Sequence, residues 1–91
     1  MILQVVQIEN KLGLHARAAA KLVRLTARFS SEIFLSREGA CQQIDAKSIL
    51  GVLMLAAAQG SRLVFSISGE DEVEAGNAIR QLFEGKFGEE N

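Results

Sequence analysis

The 91-residue sequence predicts an α+β domain of two layers, with one sheet covered on one side by helices. Two observations carry that expectation. Short strand-like runs appear four times, and longer stretches with apolar residues three and four apart appear three times. The two kinds follow one another as β-α-β-β-α-β-α. A chain of this length supports one small core, so residues 1–91 are read as a single domain.

The first strand covers residues 2–8, with Ile2, Val6 and Ile8 on one face and Val5 on the other. Glu9, Asn10, Lys11 and Gly13 make a polar turn. A helix follows over residues 16–29, its apolar stripe read as Ala16, Ala19, Ala20, Val23 and Ala27. Ser30 and Ser31 end it. Ile33 and Leu35 point one way from a second strand and Phe34 the other; Arg37, Glu38 and Gly39 then turn the chain into a third strand over residues 40–44.

Asp45 is the expected N-cap of a second helix, because a carboxylate there can accept hydrogen bonds from the orphan amides. That helix should start near Ala46 and end near Gln59 and Gly60, glycine being suited to a left-handed exit. Leu63, Phe65 and Ile67 alternate with Val64, Ser66 and Ser68 in a fourth strand. After Gly69, the acidic run Glu70, Asp71, Glu72 and Glu74 favours the amino end of a third helix. Its buried stripe is Ala75, Ala78, Ile79, Leu82 and Phe83, and the tail from Gly85 is expected to be loose.

Composition narrows the function. Ten Lys and Arg against eleven Asp and Glu give a formal net charge of −1, without the basic excess of a general nucleic-acid binder. The apolar stretch over residues 49–58 is about half of the roughly 20 residues a membrane span needs. The start has no signal-peptide pattern, so a cytoplasmic soluble domain is expected. Cys41 is the single cysteine, too little with one histidine for an ordinary structural zinc site, and a small residue in a strand is its plain reading.

His15 stands where the first helix needs an N-cap, a place usually taken by Ser, Thr, Asp or Asn. A phosphoryl group on that imidazole would meet first-turn amides and the positive end of the helix dipole, with Arg17 able to add a charged fork. Neutral imidazole is a competent nucleophile near neutral pH. Local physics leaves a second role open, an exposed or capping histidine without chemistry. Arg17, Lys21, Arg24 and Arg28 line one helical face, either as a solvated surface or as a docking stripe for acidic proteins.

In the second helix Ile49, Val52 and Ala56 share one side, and Leu50, Leu53, Met54 and Ala57 take much of the other. One sheet cannot bury both faces, so either Leu50, Leu53 and Met54 form a partner surface or neighbouring helices cover them. With Asp45 as N-cap, Ser48 is the third helical residue: an ordinary first-turn serine, or a place where a phosphate would set about two negative charges beside the apolar patch. One histidine and no organised histidine and carboxylate set argue against independent turnover of a small substrate.

Two segments in this order, GLHARAAAKLV at 13–23 and DAKSILGVLMLAAAQGS at 45–61, resemble the active-site segment and the second signature of the HPr family of histidine-containing phosphocarriers, nitrogen-branch NPr relatives included. The likeness extends over essentially the whole chain, including GEDEVEA before the last helix. It implies an open-faced β-sandwich with a four-stranded antiparallel sheet and three helices on one side. It also implies a carrier of the phosphoenolpyruvate-dependent phosphotransferase system, with His15 accepting a phosphoryl group through Nδ1 from enzyme I and passing it to a IIA protein or domain.

By the same resemblance Arg17 helps hold the phosphoryl group, and Ser48 matches the serine targeted by HPr kinase/phosphorylase. Ile49, Leu50 and Leu53 match a hydrophobic docking surface, with Gly51 allowing close approach; Arg17, Lys21, Arg24, Lys47 and Met54 complete the expected partner-binding set. No metal, nucleotide or other cofactor, no nucleic acid and no membrane insertion are implied. Ala18 departs from the family's proline after HAR. It removes no chemical group, but leaves the sugar or nitrogen branch open.

Overall fold

The computed structural model describes residues 1–89. The elements are β1 (Ile2–Gln7), α1 (Ala16–Thr26), β2 (Glu32–Arg37), β3 (Ile44–Asp45), α2 (Ile49–Leu55), β4 (Arg62–Ser68) and α3 (Glu72–Glu84), followed by a single 3₁₀ turn, Lys86–Gly88. The strands form one antiparallel sheet in the order β1-β4-β2-β3. This is the open-faced four-stranded sheet with three helices.

β4 is central because it is the strand whose alternation is sharpest. Leu63, Phe65 and Ile67 are all fully buried, and Ile67 stands opposite Ile2 on β1 and Ile33 on β2. These side chains meet Ala18, Ala19 and Leu22 of α1, Val52 of α2, and Ala75, Ile79 and Phe83 of α3. The reverse face of the sheet carries exposed Leu3 and Val5.

The strand alternations match the sequence reading, but several local expectations do not. The buried face of α1 is Ala18, Ala19, Leu22 and Thr26; of the expected stripe only Ala19 belongs to it, while Ala16 and Ala27 are exposed. An alanine-rich segment offers little contrast between its faces. Leu22, with far more apolar surface to remove from water, sets the rotation. The helix stops at Thr26, whose hydroxyl donates to the Ala46 carbonyl at 2.8 Å.

β3 and α2 are both shorter than expected. Residues 40–43 pair with nothing in the sheet, and β3 is confined to Ile44 and Asp45 opposite Leu35 and Phe34. Asp45 is not the cap: its carboxylate accepts from the Lys47 amide. The fully buried Ala46 instead continues the sheet connection, its N–H donating to the Ile33 carbonyl at 2.9 Å. Backbone held that way cannot be helical, so α2 begins three residues later with Ser48 as its N-cap.

The exit from α2 is Ala56, at φ 51°, rather than Gly60. Ala57 turns inward there and its carbonyl accepts from the Leu14 amide at 2.9 Å. Gly60 serves a later turn, where its N–H bonds the Ile8 carbonyl.

The segment after Gly85 is packed, not loose. Phe87 is 1% exposed and meets the edge of Phe83 with ring centroids 4.8 Å apart, and Phe83 in turn meets Phe65 at 5.7 Å. Lys86 and Phe87 adopt left-handed backbone to achieve this, and the Lys21 ammonium donates to the Phe87 carbonyl. Residues 90 and 91 of the same expected tail lie outside the described residues. Among the described residues, no helix is long and apolar enough to cross a membrane.

Candidate functional site at the amino end of the first helix

The loop before α1 is fixed by a close approach. Gly13 has φ 68°, and a Cβ on it would lie 2.5 Å from the Ala57 carbonyl oxygen. Glycine alone allows Leu14 to reach that carbonyl with its N–H and to bury its side chain. The two sequence segments that stood apart, 13–23 and 45–61, are thereby joined beside His15.

His15 is the N-cap of α1, with extended backbone at φ −72° and ψ 178°, and its carbonyl accepts from the Ala19 amide at 2.8 Å. Its side chain does not cap the helix. The ring instead reaches across to the end of the chain, where Nε2 meets Glu89 Oε2; the two side chains are 28% and 15% exposed. Nδ1 makes no hydrogen bond among the described residues. The first turn of α1 holds no acidic residue, so the positive end of the helix dipole is left uncompensated by its own side chains.

Glu89 is itself held. The fully buried Asn10 donates one amide proton to Glu89 Oε1 at 2.9 Å and the other to the Gly13 carbonyl at 2.8 Å. Both neighbours are acceptors, which fixes the amide orientation and leaves Asn10 Oδ1 without a hydrogen-bond partner among the described residues. The Asn10 hydrogen bond holds the Glu89 carboxyl below its ordinary range, burial opposes it, and His15 and the Lys21 charge add to the lowering. Sequence reasoning missed Asn10 and Glu89 as site residues. A buried asparagine in a turn and a glutamate beyond the last helix carry no periodic signal.

Arg17 lies exposed one residue into α1 and makes no hydrogen bond or ion pair among the described residues. Arg24 is likewise exposed. Two other expected docking cations are occupied: Lys21 by the Phe87 carbonyl, and Lys47 by the Phe29 carbonyl at 2.8 Å. Ala18 is fully buried in the first helical turn.

On α2, Leu50 is 65% and Met54 75% exposed, with Ile49 also exposed beside them, while Val52 is buried and Leu53 packs partly against the core. The outward patch is therefore Ile49, Leu50 and Met54. Gly51 has an internal reason as well, since a Cβ there would come 2.9 Å from the Ile44 side chain. Ser48 Oγ accepts from the Gly51 amide at 3.1 Å, so the serine expected as third helical residue is the cap itself. Among the described residues, no three His, Cys, Asp or Glu side chains are grouped to hold a metal ion.

The family pattern described as "PTS HPr component phosphorylation site" matches residues 2–85. The phosphocarrier protein HPr of Cupriavidus necator is 52% identical over 82 residues, covering 90% of each chain, and that of Xylella fastidiosa is 49% identical over 83 residues, covering 91% of each. Among solved structures, an HPr from Thermoanaerobacter tengcongensis superimposes with a TM-score of 0.92 at 42% identity over the whole of both chains. An HPr from Bacillus anthracis gives 0.83 at 35% identity, covering 90% of this chain and 95% of its own. Sheet order, helix placement and sequence together define a small protein of the phosphocarrier class. The chain belongs to the HPr phosphocarrier family.

Proposed function

We propose that this protein carries a phosphoryl group on His15 within the phosphotransferase system, receiving it from enzyme I and delivering it to a IIA protein or domain in the cytoplasm. The observation that carries this reading is the His15 ring itself: Nε2 is engaged by Glu89, while Nδ1, at the amino end of α1, has no hydrogen-bond partner among the described residues. A neutral nitrogen with its lone pair free is the nucleophile the transfer requires. The orphan amides of the first turn and the Arg17 guanidinium would meet the incoming oxygens.

In this reading the exchange is carried by positioning and charge, with no metal or nucleotide supplied by the small domain. Arg17 and Arg24 offer charge to an acidic partner, and Ile49, Leu50 and Met54 offer the apolar contact. Lys21 and Lys47 contribute mainly by fastening the C-terminal turn and the start of α2. The same relay serves sugar uptake or nitrogen-related regulation, according to the IIA acceptor.

Incubation with phosphoenolpyruvate and enzyme I should add the mass of one phosphoryl group, acid-labile and alkali-stable, to the wild-type chain and none to His15→Ala. An unchanged wild-type mass with a demonstrably active, compatible enzyme I would sink the reading.

We further propose Ser48 as a regulatory phosphorylation site for HPr kinase/phosphorylase. Its hydroxyl caps α2 at the end that carries Ile49 and Leu50, so a phosphate would bring about two negative charges to the rim of the apolar patch. ATP and a cognate kinase should modify Ser48; a chain left unmodified by that kinase would reject the proposal.

A further inference from the structure

The family pattern ends at residue 85, four residues before Glu89, yet Glu89 makes the side-chain contact to the His15 ring. We propose that Glu89, steadied by Asn10, is a positioning residue for phosphoryl transfer: it holds the proton of His15 on Nε2, presents Nδ1 as the nucleophile, and balances the positive charge the ring acquires on phosphorylation. The proposal rests on the carrier reading above and adds to it the group that acts on the ring from behind.

The geometry for this is complete. An ionised carboxylate can only accept, so the ring nitrogen facing Glu89 is the one that carries hydrogen, and in the neutral ring the lone pair is then on Nδ1. Asn10 takes the other carboxylate oxygen and cannot rotate away, because its second N–H is used by the Gly13 carbonyl. The turn that brings Glu89 into reach is anchored by burial of Phe87 and by the Lys21 ammonium on the Phe87 carbonyl. The charged groups facing the carboxylate are thus His15 and Lys21.

The chemistry follows from the location of that proton. In the carrier reading the donor is a phosphohistidine of enzyme I: the Nδ1 lone pair of His15 forms the new N–P bond while the donor's N–P bond breaks and returns its electron pair to the donor ring. His15 keeps its Nε2 proton, so its ring becomes cationic next to the Glu89 carboxylate. In onward transfer the Nδ1–P bond breaks and its pair returns to a ring still protonated at Nε2. The leaving group is then neutral imidazole rather than imidazolate. A carboxylate behind the imidazole of a hydrolytic triad does the same two things, fixing the tautomer and stabilising the imidazolium.

Glu89→Ala and Glu89→Gln in the full chain test this. His15 is the only histidine, so its ring nitrogens can be read by ¹⁵N NMR without ambiguity. The wild type should show Nδ1 as the unprotonated, pyridine-type nitrogen; Glu89→Ala should move it toward the average of two exchanging tautomers. Rapid-quench transfer from phosphorylated enzyme I should slow by about tenfold in Glu89→Ala at saturating enzyme I, the size expected for losing one partly exposed charge-assisted hydrogen bond. KM for enzyme I should stay unchanged, because the docking surface is untouched. Glu89→Gln should keep the wild-type ring signal through its remaining acceptor oxygen while losing nearly as much rate, since the charge is gone.

A wild-type ring signal in Glu89→Ala, or a transfer step within about twofold of wild type, would overturn the proposal. Amide spectra confirm the fold of each variant. The ring signal is read on unphosphorylated protein, so it decides the role of Glu89 even where the wild type takes up no phosphoryl group, the result that would sink the carrier reading instead.

Discussion

Adding a single carbon at Gly13 tests how the loop before His15 is held. In Gly13→Ala the residue must stay at φ 68°, where an L side chain costs roughly 1 kcal/mol. Its Cβ must also clear the Ala57 carbonyl oxygen at 2.5 Å and the Ala58 Cα at 3.0 Å, both backbone atoms with little room to yield. The loop can escape only by moving off the end of α2, which breaks the Leu14 to Ala57 hydrogen bond and strands a buried donor at a further cost of about 2 kcal/mol.

The sum is about 3 kcal/mol, and at roughly 4–8 °C per kcal/mol for a domain of this size the midpoint of thermal unfolding should fall by roughly 12–24 °C. Gly39→Ala is the control. Gly39 also has positive φ, 87°, but no atom lies within 4 Å of its Cβ position, so only the conformational cost remains and the midpoint should fall by roughly 4–8 °C. Circular dichroism melts of both variants decide the matter. Equal losses would show that conformational strain accounts for Gly13 and that the close approach to Ala57 contributes nothing.

Three further changes follow from other parts of the fold. Phe87→Ala should lose about 3 kcal/mol in urea unfolding, as expected for removing a buried aromatic ring that packs on Phe83; a loss under about 1 kcal/mol would mean that the C-terminal turn does not belong to the core. Ser48→Ala should lower stability by about 1 kcal/mol through the missing cap on the Gly51 amide, and Ser48→Gly by less; identical urea midpoints for Ala and wild type would remove Ser48 from the capping role. Asp71 accepts from the Ser30 and Ser31 amides and the Ser31 hydroxyl, with the Ser31 side chain the largest influence, and its carboxyl is lowered from 3.8 to about 2. Its stabilisation is therefore fully present above pH 3.8 and lost as the pH falls through about 2, so wild type should lose stability over that window more steeply than Asp71→Asn; parallel acid titrations of the two would contradict the assignment.

The readable parts of this chain were those that repeat. Leu63, Phe65 and Ile67, and Ile33 and Leu35, announced their buried faces because strand alternation leaves each side chain one of two choices. The rotation of α1 was not readable, since alanine on every side gives a helix no preferred face until Leu22 finds the sheet. Local rules misplace the boundaries of α2 for a related reason. Asp45 and Gly60 are good caps by local rules, but the hydrogen bonds from Ala46 to Ile33 and from Leu14 to Ala57 act over long sequence separations and shorten the helix from both ends.

The same division runs through the candidate site. His15 before an alanine-rich helix, followed by KSILG, was visible in the residues themselves and was enough to suggest a phosphocarrier with an adjacent docking face. Sequence therefore determined the order of elements, the inward faces of the strands and the family. Only tertiary structure decided that Glu89 and Asn10 stand behind the imidazole, that Lys21 and Lys47 are spent on carbonyls, and that Ser48 caps its helix. Strand and helix periods are local properties of consecutive residues, whereas the partner of an imidazole or an ammonium group is set by which distant segments the core brings together.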